Sequence, residues 1–176
     1  FSMDFNDDYL EVGSINNFPE ETMTVSFWIN QFNNDEIGAN TIMSFATEQN
    51  DNEFLISIAW NNGLNDIMVN GGNDDVANTV SLPNNIWTHI SVVLNDGEIL
   101  IYKNGILDYT NSLNTGGMSS SGFLLFGQDQ DSYGDGFQSS QALYGQLDNV
   151  EIWNTNLSQT EIQGYMNCSP SGDEEN

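Results

Sequence analysis

The chain has 176 residues, 38% of them hydrophobic, with four tryptophans, which suffices for one well-filled core and a single compact domain. Twenty-six acidic residues stand against one basic residue, Lys103, giving a formal charge of −25. That balance excludes direct grip on nucleic acid or anionic lipid and makes bound divalent cations a source of stability, although excess acid also suits a surface kept hydrated in salt water. One cysteine, Cys168, and one histidine, His89, exclude an internal disulfide and a zinc cluster.

Taken in order, the chain opens on Phe1-Ser-Met-Asp-Phe, which reads as the start of a module cut from something longer. No basic-then-apolar export signal stands there, and no run reaches the roughly 20 apolar residues that span a bilayer. Short apolar stretches follow at Met23–Ile29, Ile42–Phe45, Phe54–Trp60, Asp66–Val69, Thr79–Leu82, Trp87–Leu94, Ile99–Tyr102, Phe123–Phe126 and Leu147–Trp153. Their length and turn-rich spacing predict strands. Met23, Val25, Phe27 and Ile29 alternate with Thr22, Thr24, Ser26 and Trp28, the period of a strand with one face on a core. Asn95-Asp-Gly97 and Asn104-Gly105 mark tight reversals, so Trp87 to Thr110 should form a three-stranded meander. So many antiparallel strands predict an all-β, two-sheet jelly-roll sandwich.

One helix is expected, from Gln159 to Met166 on the sandwich surface. Ser158-Gln-Thr-Glu161 is a capping box, and Ile162, Tyr165 and Met166 supply the apolar stripe. The domain should therefore occupy residues 1–168, with the polar residues 169–176 as a linker or tail. Trp28, Trp60, Trp87 and Trp153 each lie in a strand and are expected in the core. His89 is expected to be a core histidine with one backbone hydrogen bond. Asn33-Asn-Asp-Glu36 and Asn73-Asp-Asp75 read as solvated turns.

The chemistry concentrates between Gly127 and Gln141. Asp129 and Asp131 flank Gln130, so an irregular backbone can converge both carboxylates while turning the Gln130 carbonyl inward; Gly134 and Gly136 allow the chain to wrap, and Phe137 anchors the far end. Hard oxygen donors at this density suit calcium. The competing reading is a solvated acidic loop. Asp51-Asn52-Glu53, before another strand, could supply more oxygens if the fold brings it close. Tyr133 and Gln141 are the candidates for touching a ligand.

These residues also carry a resemblance. Phe126-Gly-Gln-Asp-Gln-Asp-Ser-Tyr-Gly-Asp-Gly-Phe137, Ser140-Gln-Ala-Leu-Tyr-Gly145, Val150-Glu-Ile-Trp153 and Leu157-Ser-Gln-Thr-Glu-Ile162 resemble the C-terminal half of pentraxins. Trp87-Thr-His-Ile90 and Asp51-Asn52 fall where that family has them, and Met3–Leu10 looks like the opening strand of the wider laminin-G-like, concanavalin A-like group. The tail from Tyr165 looks like junctions between such modules in large secreted bacterial surface proteins. The resemblance implies two calcium ions. Asp51, Asn52, Asp129, Asp131 and the main-chain oxygen of Gln130 would hold the first, and Asp129, Asp131, Gln138 and Gln141 the second. Asp129 and Gln138 stand where the family often has glutamate, so the second ion should bind more weakly. The positions of the family's core disulfide read Ser26 and Ser91, and Ser57 replaces an apolar side chain of the choline pocket of some members.

The function implied is calcium-dependent extracellular binding of a carbohydrate or anionic ligand, or adhesion, by a secreted or cell-surface module, monomeric when isolated and flanked by neighbouring domains. The alternative is a calcium-rigidified spacer in a multidomain adhesin. An enzyme is not expected: Gln146-Leu-Asp148-Asn-Val-Glu151 approximates a glycosidase motif but puts an amide at the nucleophile position.

Overall fold

The computed structural model describes residues 3–6, 8–32, 39–61, 64–72, 74–76 and 79–168. Its strands are β1 (Met3–Asn6), β2 (Leu10–Ile15), β3 (Thr22–Gln31), β4 (Ala39–Ala46), β5 (Phe54–Asn61), β6 (Leu64–Gly71), β7 (Asp74–Val76), β8 (Thr88–Asn95), β9 (Glu98–Lys103), β10 (Ile106–Ser112), β11 (Gly122–Phe126) and β12 (Tyr144–Trp153); the helix α1 spans Gln159–Tyr165. They form two six-stranded sheets, ordered β1-β12-β3-β8-β9-β10 and β2-β11-β4-β5-β6-β7, with antiparallel pairing throughout. The expected jelly-roll sandwich is present.

Inward-facing Met23, Val25, Phe27 and Ile29 of β3 meet Phe45, Phe54, Ile56, Ile58, Ile67 and Val69 of the second sheet in one continuous core. Phe18, from the loop before β3, stacks on Phe45 with ring centroids 3.9 Å apart. The β8–β9–β10 meander turns through Asp96 and Asn104, whose φ values of 47° and 50° are the left-handed angles that two-residue hairpin loops require. Lys103 Nζ donates to the Ser81 carbonyl at 2.6 Å, so the lone cation ties β9 to the loop before β8.

Several expectations need correction. β3 does not leave one face in water: Thr24 and Ser26 are buried as well. The chain after β12 folds back over that outer face. Thr24 Oγ1 donates to the Thr155 carbonyl at 2.8 Å and accepts from the Leu157 amide at 2.9 Å. α1 then closes a second apolar cluster of Val93, Tyr102, Trp153, Leu157 and Ile162, with Tyr165 stacked on Trp153. Both arms of the capping box form, and the hydrogen bonds from Ser158 hold the Glu161 carboxyl below its ordinary range. Thr79–Leu82 is not a strand; only Ser81 makes a bridge, to Asp66. Asp74 and Asp75 are exposed, as expected, but belong to β7 rather than a turn.

Trp153 is buried, whereas Trp87 is 38% exposed at the mouth of β8 and Trp28 is half-buried on the outer face. His89 is buried, its ring edge-on to Trp28 at 5.3 Å, but its Nδ1 has no hydrogen-bond partner; the backbone pair with Asn104 is made by the main chain and the asparagine amide instead. Burial lowers its pKa to about 4. Ser26 and Ser91 are cross-strand partners, so the two positions that the resemblance assigned to a disulfide do face each other. The readings of residues 33–36, 169–176, Asn73 and the Trp60 side chain lie outside the described residues.

Candidate metal centre

Antiparallel pairing of β11 with β4 puts Phe126 beside Met43 and Phe123 beside Ala46. A loop leaving Phe126 starts at the wrong end of β4 to meet Asp51. It reaches the β4–β5 turn by doubling back over the outside of the sheet. Gly127 N donates to the Ile42 carbonyl at 3.0 Å, and Gly127 O accepts from Leu143 N at 2.8 Å, clamping the loop at its base. The fully buried Gln130 side chain then acts as a clasp. Its Nε2 donates to the carbonyls of Ser44 at 3.1 Å and Phe123 at 3.0 Å, and its Oε1 accepts the Gly134 amide at 2.9 Å. This role of the side chain is additional to the main-chain oxygen that the sequence pointed to.

The rest of the loop is a tight turn closed by reciprocal Ser132 and Asp135 backbone hydrogen bonds. Gly134 and Gly136 carry φ of 68° and 82°, and a Cβ on Gly136 would sit 3.0 Å from Asp131 Cβ, so a side chain there would both strain the backbone and push the carboxylate aside. Phe137 packs against Tyr9 with centroids 4.7 Å apart, the anchor expected of it. A 3₁₀ turn over Ser139–Gln141 delivers Gln141 back toward the aspartates.

The loop thus gathers polar groups around a buried carboxylate. Asp129 is 6% exposed; Ser44 Oγ donates to its Oδ1 at 3.4 Å and Gln130 N at 2.9 Å, and Gln141 Nε2 lies 3.3 Å from its Oδ2. Gln138 donates to Asp131 Oδ2, while Gln141 Nε2 lies 3.5 Å from Asp131 Oδ1. Burial pushes the Asp129 carboxyl above its ordinary range; the Gln130 amide opposes this, the Asp131 charge adds to it, the Ser44 hydroxyl opposes, and the Asp51 charge adds again. Asp51, 78 positions away in sequence, is therefore near enough to act on Asp129 through its charge. Asn52 Nδ2 donates to Asp51 Oδ1 at 3.4 Å, and the turn that carries them is held by Asn50, which accepts from Asn52 N and donates to the Gly72 carbonyl.

Two oxygens in this assembly are buried and lack any donor: Asn52 Oδ1 and Gln141 Oε1. Leaving such groups unpaired costs about 1–3 kcal/mol each. A cation answers both faults, since it pairs orphaned oxygens and neutralises crowded carboxylates at once. The donor set is all oxygen, the chemistry of a hard ion such as calcium, and an amide that now offers N–H to Asp131 can turn to offer its carbonyl oxygen. Among the described residues, no three His, Cys, Asp or Glu side chains close into a metal-holding group. Asp51 and Asp131 therefore act on Asp129 through charge without the three carboxylates converging on one point in this structure, and the candidate set draws on amide oxygens as well.

Glu53 does not join it: its carboxylate accepts the Ser119 amide at 2.6 Å. Tyr133 lies edge-on to Phe123, with its hydroxyl 3.0 Å from Ser14 Oγ, and stays 39% exposed. Ser57 is fully buried in β5 opposite Thr41 and Met68, and its hydroxyl lacks a partner. Gln146, at the glycosidase-like nucleophile position, accepts from Asn30 Nδ2 at 3.1 Å. Sequence reasoning missed Ser44 and Gln128, whose Oε1 accepts the Asp129 amide at 2.8 Å. A lone serine inside the apolar run Ile42–Phe45 is the one signal that pointed to the former.

A family model for the concanavalin A-like lectin/glucanases superfamily, Laminin_G_3, matches residues 4–163. Human neuronal pentraxin-1 is 31% identical over 151 residues, which are 83% of this chain and 34% of that protein's length. In fold, a heptameric SAP-like pentraxin from Limulus polyphemus superposes with a TM-score of 0.76 at 22% identity, over 97% of this chain and 83% of that one. A protein from Bacteroides ovatus assigned provisionally to carbohydrate binding gives 0.66 at 19% identity, over 92% of this chain and 45% of that one. The chain belongs to the concanavalin A-like lectin/glucanases superfamily, as a pentraxin-like, laminin-G-like jelly-roll domain.

Proposed function

We propose that the domain is a calcium-dependent extracellular binding module for a carbohydrate or anionic ligand, and not an enzyme. Asp51, Asn52, Asp129, Asp131 and the main-chain oxygen of Gln130 would hold one ion, and Asp129, Asp131, Gln138 and Gln141 a second. One observation supports the reading: the Asp129 carboxyl is raised by burial and by the charges of Asp131 and Asp51, and the amides that touch Asp129 and Asp51, Gln141 and Asn52, each carry an orphaned oxygen, in a chain whose single lysine is engaged elsewhere. When bound, calcium would present open coordination positions to ligand oxygens and turn a negative surface into one that accepts hydroxyls, carboxylates or phosphates. Tyr133 and Gln141 would border those positions and contact the ligand.

The neutral Gln138 at the second ion argues for affinity in the weak extracellular range of about 0.1–1 mM for at least one ion. The module would act as a monomer beside its neighbouring domains on a secreted or surface protein. Among the described residues no helix is long and apolar enough to cross a membrane. The test is calorimetric titration of calcium, followed by a glycan and anionic-ligand array with and without chelator. Binding that chelator abolishes supports the proposal. Calcium uptake with silence on both arrays makes the domain a calcium-rigidified spacer, and absence of heat in millimolar calcium defeats both.

A further inference from the structure

The opposite sheet carries a second feature that the loop does not explain. On the outer face of β12, β3 and β8, Asp148, Trp28 and His89 stand in one cross-strand row, since Asp148 pairs with Trp28 and Trp28 with His89. Trp87, two residues before His89, falls on the same face. A groove of about 420 Å³ runs here, lined by Trp28, Trp87, Asp148, Asn149, Met166 and Asn167. That volume lies within the range of small-ligand sites.

The groove is built before any ligand arrives. Trp28 Nε1 donates to the Met166 carbonyl at 3.0 Å, and the buried His89 ring abuts the indole edge-on, so the half-buried Trp28 is held at its edge and against its neighbour. Trp87 remains 38% exposed beside Ile86 at 58%, which leaves apolar surface open to solvent at the groove. Asn149 occupies the β12 bulge with φ of 47°, a strained angle for a residue with a side chain, and its main-chain N–H donates to Asp148 Oδ1 at 2.9 Å, fixing the carboxylate at the rim.

We infer that this groove is a second ligand site, independent of calcium, that takes a neutral pyranose chain stacked on Trp87 and Trp28. The chemistry selects among ligands. An anion meets Asp148 in a chain of charge −25 whose only lysine is bound to Ser81. A cation needs acceptors alone. The exposed amides of Asn149 and Asn167 offer donors and acceptors together, beside a carboxylate that accepts, which is the mixed complement that vicinal hydroxyls require. Indole faces supply the apolar platform for the C–H face of a sugar ring. Because the groove and the calcium loop lie on different sheets, one site can fail while the other stands.

The test uses the whole chain in excess chelator. Neutral β-glucan, mannan, xylan and galactan oligosaccharides are titrated with tryptophan fluorescence and calorimetry as readouts, and tetramethylammonium serves as the cationic control. At least one oligosaccharide should bind, with the same affinity after calcium is added. Trp87→Ala should weaken it tenfold or more, and Trp87→Phe less. Asn149→Gly, which relieves the strained backbone while removing the amide, should weaken binding without lowering the melting temperature. No binding across the panel, affinity unchanged by Trp87→Ala, binding that requires calcium, or tighter binding of tetramethylammonium than of any sugar would each overturn the inference.

Discussion

Part of each outer face of the sandwich is covered, but by opposite means. Over β3 and β8, the segment after β12 and α1 lay down Trp153, Leu157, Ile162 and Tyr165, and Thr24 finds both its partners in the covering chain. Over β4 and β11, the covering loop brings Asp129, Gln130 and Gln128 into burial. Gln130 is fully satisfied, yet Asn52 Oδ1 and Gln141 Oε1 are not, and the Asp129 carboxyl is raised by burial and by its neighbours' charges. The first face closes mainly on apolar side chains, and the buried polar atoms it leaves without partners, Trp153 Nε1, His89 Nδ1 and Ser91 Oγ, belong to neutral groups. The second gathers carboxylates with orphaned amide oxygens, so under the proposed function its stability is conditional on a cation while that of the first is intrinsic.

The largest effect that could break this contrast is on the apolar face. Trp153→Ala, by emptying the space against Val93, Leu157, Ile162 and Tyr165, should cost about 3–5 kcal/mol in urea unfolding. Its calcium response should persist. A variant that lost stability and calcium response together would show that the two faces are one cooperative unit.

Next comes the ion itself. With a dissociation constant of about 0.1–1 mM, 10 mM calcium should stabilise the chain by about 1.4–2.7 kcal/mol over chelator. Asp129→Asn removes a charge that burial and the neighbouring carboxylates oppose. It should unfold at higher denaturant than the parent in chelator, and gain nothing from calcium. Equal calcium gains for parent and variant would remove Asp129 from the site.

A further effect separates the faces by pH. His89 holds a folded pKa of about 4 against an ordinary 6.5. The unfolded chain takes up a proton that the folded chain refuses, so this histidine's contribution is full above pH 6.5 and is lost as pH falls from there through about 4. His89→Phe should flatten the stability profile in that window, measured in chelator. A profile unchanged by the substitution would mean that the ring is solvated in the native state. The smallest expected effect is Ser91→Ala. Its hydroxyl is buried without a partner, so the substitution should be neutral or stabilising by a few tenths of a kcal/mol in thermal unfolding.

Much of this architecture was legible in the chain itself. Period-two runs such as Met23–Ile29 name strands because a pleat alternates its faces, Asp96 and Asn104 name turns because few side chains tolerate left-handed angles, and Ser158 with Glu161 names a helix start because each satisfies an orphan amide. These are local rules, settled within a few residues. The loop from 127 to 141 was legible for the same reason, as a density of oxygens and flexible backbone.

What the sequence could not reveal lies between distant segments. Thr24 looks like a solvent position until the segment after β12 caps it, and Trp87 looks like core until β8 begins one residue later. Glu53 stands beside Asn52 yet turns to Ser119, whereas Asp51 acts on Asp129 across 78 positions. Alternation and turn chemistry determined which residues form strands; only the packing of two sheets, with a loop doubled back over one and a helix over the other, decided which polar groups would be buried together. Burial and charge proximity are properties of distance in space, and a linear chain carries no record of that until it closes.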